Sequence, residues 1–257
     1  MSQYSSALKF SFKEQLNNKF AFGLLVIFVP IWYWMLTAIT PSTPVPFRLA
    51  STGTFFLANG RQQVLLSAGL NVLAMILGFM FFHSARHSLT FDRRLTRAGL
   101  SRLNFMLAKA STLFATTAVV ALFTLLVLLF FWSSPEQLFE IWLAFWLTSL
   151  TYASIGLFLG MLLNSELAGF FIIIMFSQMD TFLQVPIDNP AANQAFLHFF
   201  PTYASMQLCI SGGFTHLFPI DQVLLALGWF ALFFFISFGI FTLRTRRKSS
   251  VVLKNAA

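Results

Sequence analysis

Charge is what this sequence has least of. Asp, Glu, Lys and Arg make up 9% of the chain, where a soluble domain carries roughly 25%. No stretch is polar and long enough to form a separate soluble domain, so residues 1–257 read as a single membrane domain. Cysteine occurs once, as Cys209, which excludes an internal disulfide and a cysteine-built metal cluster. A GxxxxGK run followed by Ser or Thr is absent, so the chain has no loop of that kind to cradle nucleotide phosphates. GxSxG, HExxH and CxxC are absent as well.

What the chain does have is apolar length. Six stretches, at about 20–40, 64–82, 111–132, 141–163, 167–185 and 222–243, each approach the ~20 residues a helix needs to cross ~30 Å of hydrocarbon. Asp180 is the one ionisable residue inside them. The first stretch begins after Lys19 and has no small-residue cleavage site, so it is expected to be retained. The fold expected is an all-α polytopic membrane protein with six transmembrane helices.

The net charge is +8. In a soluble protein this would suggest nucleic acid as a partner. Here the basic residues flank apolar spans, so the charge reads as membrane orientation instead. With the N-terminus inside, the cytoplasmic segments are 1–19, 83–110, 164–166 and 244–257. They hold every Lys and Arg except Arg48 and Arg61, as the positive-inside rule expects. Both termini are then cytoplasmic.

Between the spans, local patterns suggest further elements. Leu8, Phe12, Leu16 and Phe20 recur every four residues beside Lys9 and Lys13, so 5–19 reads as an amphipathic helix lying in the interface. Pro41, Pro44 and Pro46 end the first span, and 51–58 reads as a short apolar dip. The loop 83–110 favours helix apart from a break at 98–101, with Ser101 placed to cap the next helix. Gly156 and Gly160 form a GxxxG packing face, against a helix either of this chain or of a partner. Segment 186–220 holds two apolar pieces too short to cross. It reads as a re-entrant pair of short helices in the outer leaflet before the last span.

Candidate chemistry is sparse. His83 and His87 have the i, i+4 spacing of helix-borne metal ligands, but Arg86, Arg93 and Arg94 surround them and repel cations. Met175 and Met179, likewise i, i+4, read as packing residues. No metal site and no catalytic residue is expected. Asp180, near Gln178 and Gln184, is either part of a polar lining or an interface residue reaching water.

The loop after the second span carries a family signal. Arg94-Leu95, then Ala98-Gly99-Leu100-Ser101-Arg102-Leu103, then Leu107-Ala108-Lys109, resembles the segment between spans two and three of ABC-2 type permeases. Phe199-Phe200-Pro201-Thr202-Tyr203 is similar to that family's Pro-containing turn before span six. Gly99 stands where the family has Pro, and Asp92 is the sole acid of 83–91 and its neighbours where the family has an acidic stretch. The resemblance implies the membrane subunit of an ATP-driven ABC transporter working in export. It implies a second permease copy, identical or homologous, making a dimer, and two copies of a separate ABC ATPase that bind the ATP and Mg. This chain itself would hold no cofactor and would not be an enzyme. Arg86, Phe91, Asp92, Arg93, Arg94, Leu95 and Arg97 would belong to the ATPase-coupling helix. Gln178, Asp180, Gln184, Phe200, Pro201, Tyr203 and Met206 would line the substrate path and its outer gate. The setting implied is the bacterial cytoplasmic membrane, and the cargo an amphipathic or hydrophobic peptide, drug or lipid-linked molecule. The alternatives are a secondary transporter, which would need internal repeats and paired charges within spans, and a membrane enzyme, which would need clustered acids or nucleophiles.

Overall fold

A backbone in hydrocarbon must satisfy its own N–H and C=O groups, and a helix does so within one segment. The computed structural model, which describes residues 3–97, 101–186, 189 and 194–245, is helical almost throughout. Helix α1 (Gln3–Leu16) leads to a first hydrophobic rod made of α2 (Lys19–Gly23), a π-helical turn (Leu24–Phe28) and α3 (Val29–Ile39). Pro30 has no N–H to offer the Val26 carbonyl, and the widened turn lies immediately before it. Strands β1 (Pro44–Arg48) and β2 (Phe55–Asn59) follow as an antiparallel hairpin. Then come α4 (Gly60–Arg97), α5 (Arg102–Phe131), α6 (Leu138–Leu162) and α7 (Glu166–Phe182). A 3-10 turn (Ala195–Phe199), α8 (Tyr203–Phe214) and α9 (Ile220–Thr245) complete the described chain.

The protein is an all-α membrane protein. Among the described residues, four segments are long and apolar enough to cross a bilayer: Gly60–Ser88, Met106–Phe131, Leu138–Leu162 and Ile220–Arg244. The first and fifth apolar stretches of the sequence give shorter pieces, the helical run Leu24–Ile39 and the 17-residue α7. Of the break expected at 98–101, residues 98–100 lie outside the described residues; Ser101 is extended and stands in the N-cap position of α5.

Helix α6 is the hub, packed by α4, α5, α8 and α9. Its Phe145, Leu150, Tyr152 and Ala153 are fully buried. In lipid there is no hydrophobic drive between helices, so small residues that allow close approach decide the packing. Gly156 and Gly160 do this against α4. A Cβ at Gly156 would clash with the Gly78 carbonyl and stand 3.0 Å from Phe82 N; one at Gly160 would clash with the Phe82 carbonyl and stand 2.9 Å from Ala85 Cβ. The GxxxG face is therefore occupied within this chain. The α4 span is 83% buried and the α9 span 17%, which leaves α9 at the rim with Leu224, Leu232, Phe235 and Leu243 outward and Phe230 and Phe241 facing in.

Three expectations are corrected. Residues 51–58, read as a short apolar dip, run into strand β2, which pairs with β1 in the register Phe47↔Phe56 and Val45↔Ala58. Alternation explains it: Phe47 and Ala58 point inward while Pro46, Arg48, Phe55 and Leu57 point out, and Gly53 turns the loop at φ 68°. Among the described side chains of α1 the buried stripe is Ala7, Ser11 and Gln15, with Leu8 and Phe12 beside it half-buried; those of Leu16 and Phe20 lie outside the described residues. Small side chains let α1 lie close on α5, where the Tyr4 hydroxyl and Ser111 Oγ are 2.9 Å apart. Finally, a Gly-Gly pair before the last span is expected to let the chain bend there, but Gly212 and Gly213 do not lie at a bend. Both lie within α8, buried, where a Cβ would stand 2.6 Å from Glu140 Cβ or 2.8 Å from the Trp132 ring.

Candidate functional site

The polar residues inside this apolar bundle fall into three groups: one at the end carrying the hairpin, one along a flank and one at the opposite end. At the hairpin end, Asp180 on α7 is completely buried rather than facing a passage or water. Its carboxylate accepts from Tyr152 Oη at 2.7 Å, Thr202 Oγ1 at 2.7 Å, Gln184 Nε2 at 2.9 Å and Thr202 N at 3.1 Å. A buried carboxylate is costly unless its lone pairs are filled, and here hydroxyl and amide donors fill them. The network bolts α7 and α6 to the start of α8.

Helix α8 is seated just as firmly. Gln207 Nε2 donates to the Arg48 carbonyl at 3.2 Å, and Gln207 Oε1 accepts from Ala50 N at 3.0 Å, which ties α8 to the hairpin. Gln137 N donates to the Gly212 carbonyl at 2.7 Å. Pro201, Tyr203 and Met206 are buried within this chain and Phe200 is half-buried. Met206 thus faces protein, not the outer leaflet, while Phe199 is 79% exposed. The residues of the expected outer gate, Asp180, Gln184, Pro201, Tyr203 and Met206, are thus packed as a plug within this chain, with hydrogen bonds joining Asp180 to Gln184 and Thr202 and Tyr203 to Gln207.

Of the expected path residues, Gln178 borders a groove. It lines a cavity of about 580 Å³ between α3, α4 and α7, with Trp32, Leu36, Ser67, Asn71 and Thr181. Asn71 Nδ2 donates to Thr181 Oγ1 at 2.8 Å and to the Ser177 carbonyl at 3.2 Å, and Gln178 Nε2 donates to Asn71 Oδ1 at 3.2 Å. The groove thus has aromatic and aliphatic walls and an amide-and-hydroxyl floor. Asn71 went unremarked in the sequence, although an amide in a span is a signal of its own. Tyr152 and Thr202 were also missed, as was Glu140, which lies buried under α8 with neither carboxylate oxygen bonded among the described residues.

At the opposite end, α4 continues past its apolar part to Arg97 as unbroken helix. The side chains of Phe91, Asp92, Arg93, Arg94, Leu95 and Arg97 lie outside the described residues, as does Ala98. Arg86 is described, and its guanidinium donates to the Leu163 and Asn164 carbonyls at the C-terminus of α6. Helix C-termini favour cations, so the turn after α6, which has no basic residue of its own, borrows one from α4. Ser165 caps α7, its Oγ accepting from Ala168 N at 3.3 Å. Glu166 follows, with Oε1 at 2.9 Å from His87 Nε2 and 3.5 Å from Arg86 Nε. Met175 and Met179 are 45% and 58% exposed, so they do not fill a packing gap within this chain.

No family model matches this chain, and no curated protein matches it in sequence.

Proposed function

We propose that this chain is the membrane-spanning permease subunit of an ATP-driven ABC-2 type exporter. It would sit in the bacterial cytoplasmic membrane with both termini cytoplasmic and six spans, the bent rod from Lys19 to Ile39 and α7 adding to the four longer ones. The observation that carries the reading is α4. Its 38 residues make a rod about 57 Å long at ~1.5 Å per residue, nearly twice the ~30 Å hydrocarbon thickness. It therefore runs on beyond the apolar part by several turns, and that end carries Arg86, Arg93, Arg94 and Arg97. A rigid basic projection of this kind is suited to seat on a separate ATPase subunit, which would hold ATP and Mg in two copies.

The groove between α3, α4 and α7 supports the same reading. Two permease copies, identical or homologous, facing each other across this flank would enclose a passage with apolar walls and a floor of Asn71, Gln178 and Thr181. Such a passage suits an amphipathic or hydrophobic cargo. The plug around Asp180 would stay in place while the groove changes width.

The test is enzymatic. The purified chain alone should not hydrolyse ATP. Extracted with its partner from the native membrane, it should carry Mg-dependent hydrolysis, and Arg94→Glu or Asp92→Arg should lower that activity severalfold. A charge reversal costs little at an exposed contact and a few kcal/mol at a desolvated one. Full activity and assembly in both reversals would overturn the coupling role.

A further inference from the structure

The charged end of α4 holds a cluster that the transport reading does not use. His83 and His87 project from α4 one turn apart, with ring centroids 4.1 Å apart. Glu166, from the first turn of α7, meets them. One ligand atom from each of the three residues lies within 4.8 Å of the others. We propose that His83, His87 and Glu166 form a binding site for a divalent first-row transition metal of the Zn2+ type, clamping α7 to α4. The inference does not depend on what the protein transports.

The donor set argues for this class of ion. Two imidazole nitrogens and one carboxylate oxygen are the ligands of three-residue Zn2+ sites, with water in the fourth place. Hard ions such as Mg2+ and Ca2+ prefer all-oxygen shells, which this cluster does not offer. A tetrahedral centre with bonds of about 2.1 Å brings its ligand atoms to about 3.4 Å from one another. His87 and Glu166 are already at 2.9 Å. Their side chains are 58% and 44% exposed, so closing the remaining gap to His83 needs only rotation of side chains that are free to move into the solvent. His83 and Glu166 also border a cavity of about 230 Å³ with Asn18, Leu24 and Phe79, which gives room for the metal-bound water and a way in.

Arg86 is the argument against, because it is a cation next to the site. Its geometry answers the objection. Two of its nitrogens are committed to the Leu163 and Asn164 carbonyls at the end of α6, and only Nε, at 3.5 Å, reaches Glu166. Arg86 and His87 both approach Glu166 at Oε1, on one side of the carboxylate. A metal ion taking Glu166 would displace a long contact and leave Arg86 its two carbonyl partners. The ion replaces one hydrogen bond between α4 and α7 with three coordinate bonds.

The experiment uses the full chain in detergent, without a polyhistidine tag. Co2+ should bind with one equivalent per chain and give the visible absorption bands of a four-coordinate site; Zn2+ should bleach them. His83→Gln, His87→Gln and Glu166→Gln should each weaken Co2+ binding at least tenfold, since losing even an outer-shell partner costs 10–100-fold. Their unchanged thermal midpoints without metal would show that the fold is intact. Co2+ binding that all three variants leave unchanged, or the absence of any saturable binding, overturns the proposal.

Discussion

Asp180 shows how far one residue's chemistry is readable. An acid inside an apolar stretch announces itself, because an unpaired charge there costs several kcal/mol. Its destination does not, because Thr202 lies 22 residues on and Tyr152 on another helix. Sequence reading could offer a lining or a wet interface; the structure shows a dry anchor. Replacing Asp180 with Ala leaves the Tyr152 hydroxyl, the Thr202 hydroxyl and Thr202 N without their carboxylate acceptor, while the Gln184 amide keeps the backbone carbonyl of residue 180. That should cost about 2–3 kcal/mol per buried charged acceptor lost, whereas Tyr152→Phe, removing one donor, should cost about 1 kcal/mol. Thermal or denaturant unfolding in detergent measures both. An Asp180→Ala chain as stable as the parent would mean the network carries no stability.

Among elements, the α4–α6 contact was half legible. Gly156 and Gly160 stood out by spacing, but a GxxxG pair does not say whose helix it meets. The structure assigns it to Gly78, Phe82 and Ala85. Glycine position alone separates the consequences of substitution. Gly156→Leu or Gly160→Leu forces a side chain into backbone and should cost at least the 1–3 kcal/mol typical of overpacking. Gly239→Leu, on α9 with nothing within 4 Å of its Cβ position, should be near neutral. Equal melting shifts for the three would contradict the packing described. The hairpin was illegible for a different reason. Pro44 and Pro46 with the Ser and Thr around them look like loop, and Pro within strands is confined to edges, where these two lie. The short helix α8 was foreseen as an element but not as a buried one. Its apolar residues fit an outer leaflet and a protein core equally well, and only Gln207 and the two glycines, which meet the hairpin and α6, decide for the core.

For the whole molecule, basic residues and packing point the same way. Arg86 and the turn at Asn164 are in contact, so α4's basic end and that turn lie on one side of the bundle. Single cysteines on a Cys209→Ala background test the orientation. An impermeant reagent added to intact cells should label positions 53 and 135 but not 97 or 164. Labelling of 97 without 53 would invert the orientation.

The unbroken course of α4 has a mechanical consequence. Helix α6 grips α4 closely at Gly78, Phe82 and Ala85, and in the proposed coupling role Gly78 would serve as the fulcrum. From Gly78 to Arg97 the arm is about 28 Å, and from Gly78 to Asn71 about 10 Å, at ~1.5 Å per residue. A tilt that moves the Arg97 end by about 3 Å moves Asn71 by about 1 Å the opposite way. The arms differ nearly threefold, so a push applied at the basic end reaches the groove floor shortened in stroke and multiplied in force. In the proposed pair of copies, drawing the basic ends of the two α4 helices together and widening the groove between them would be one motion, with its ratio set by where the glycines fall.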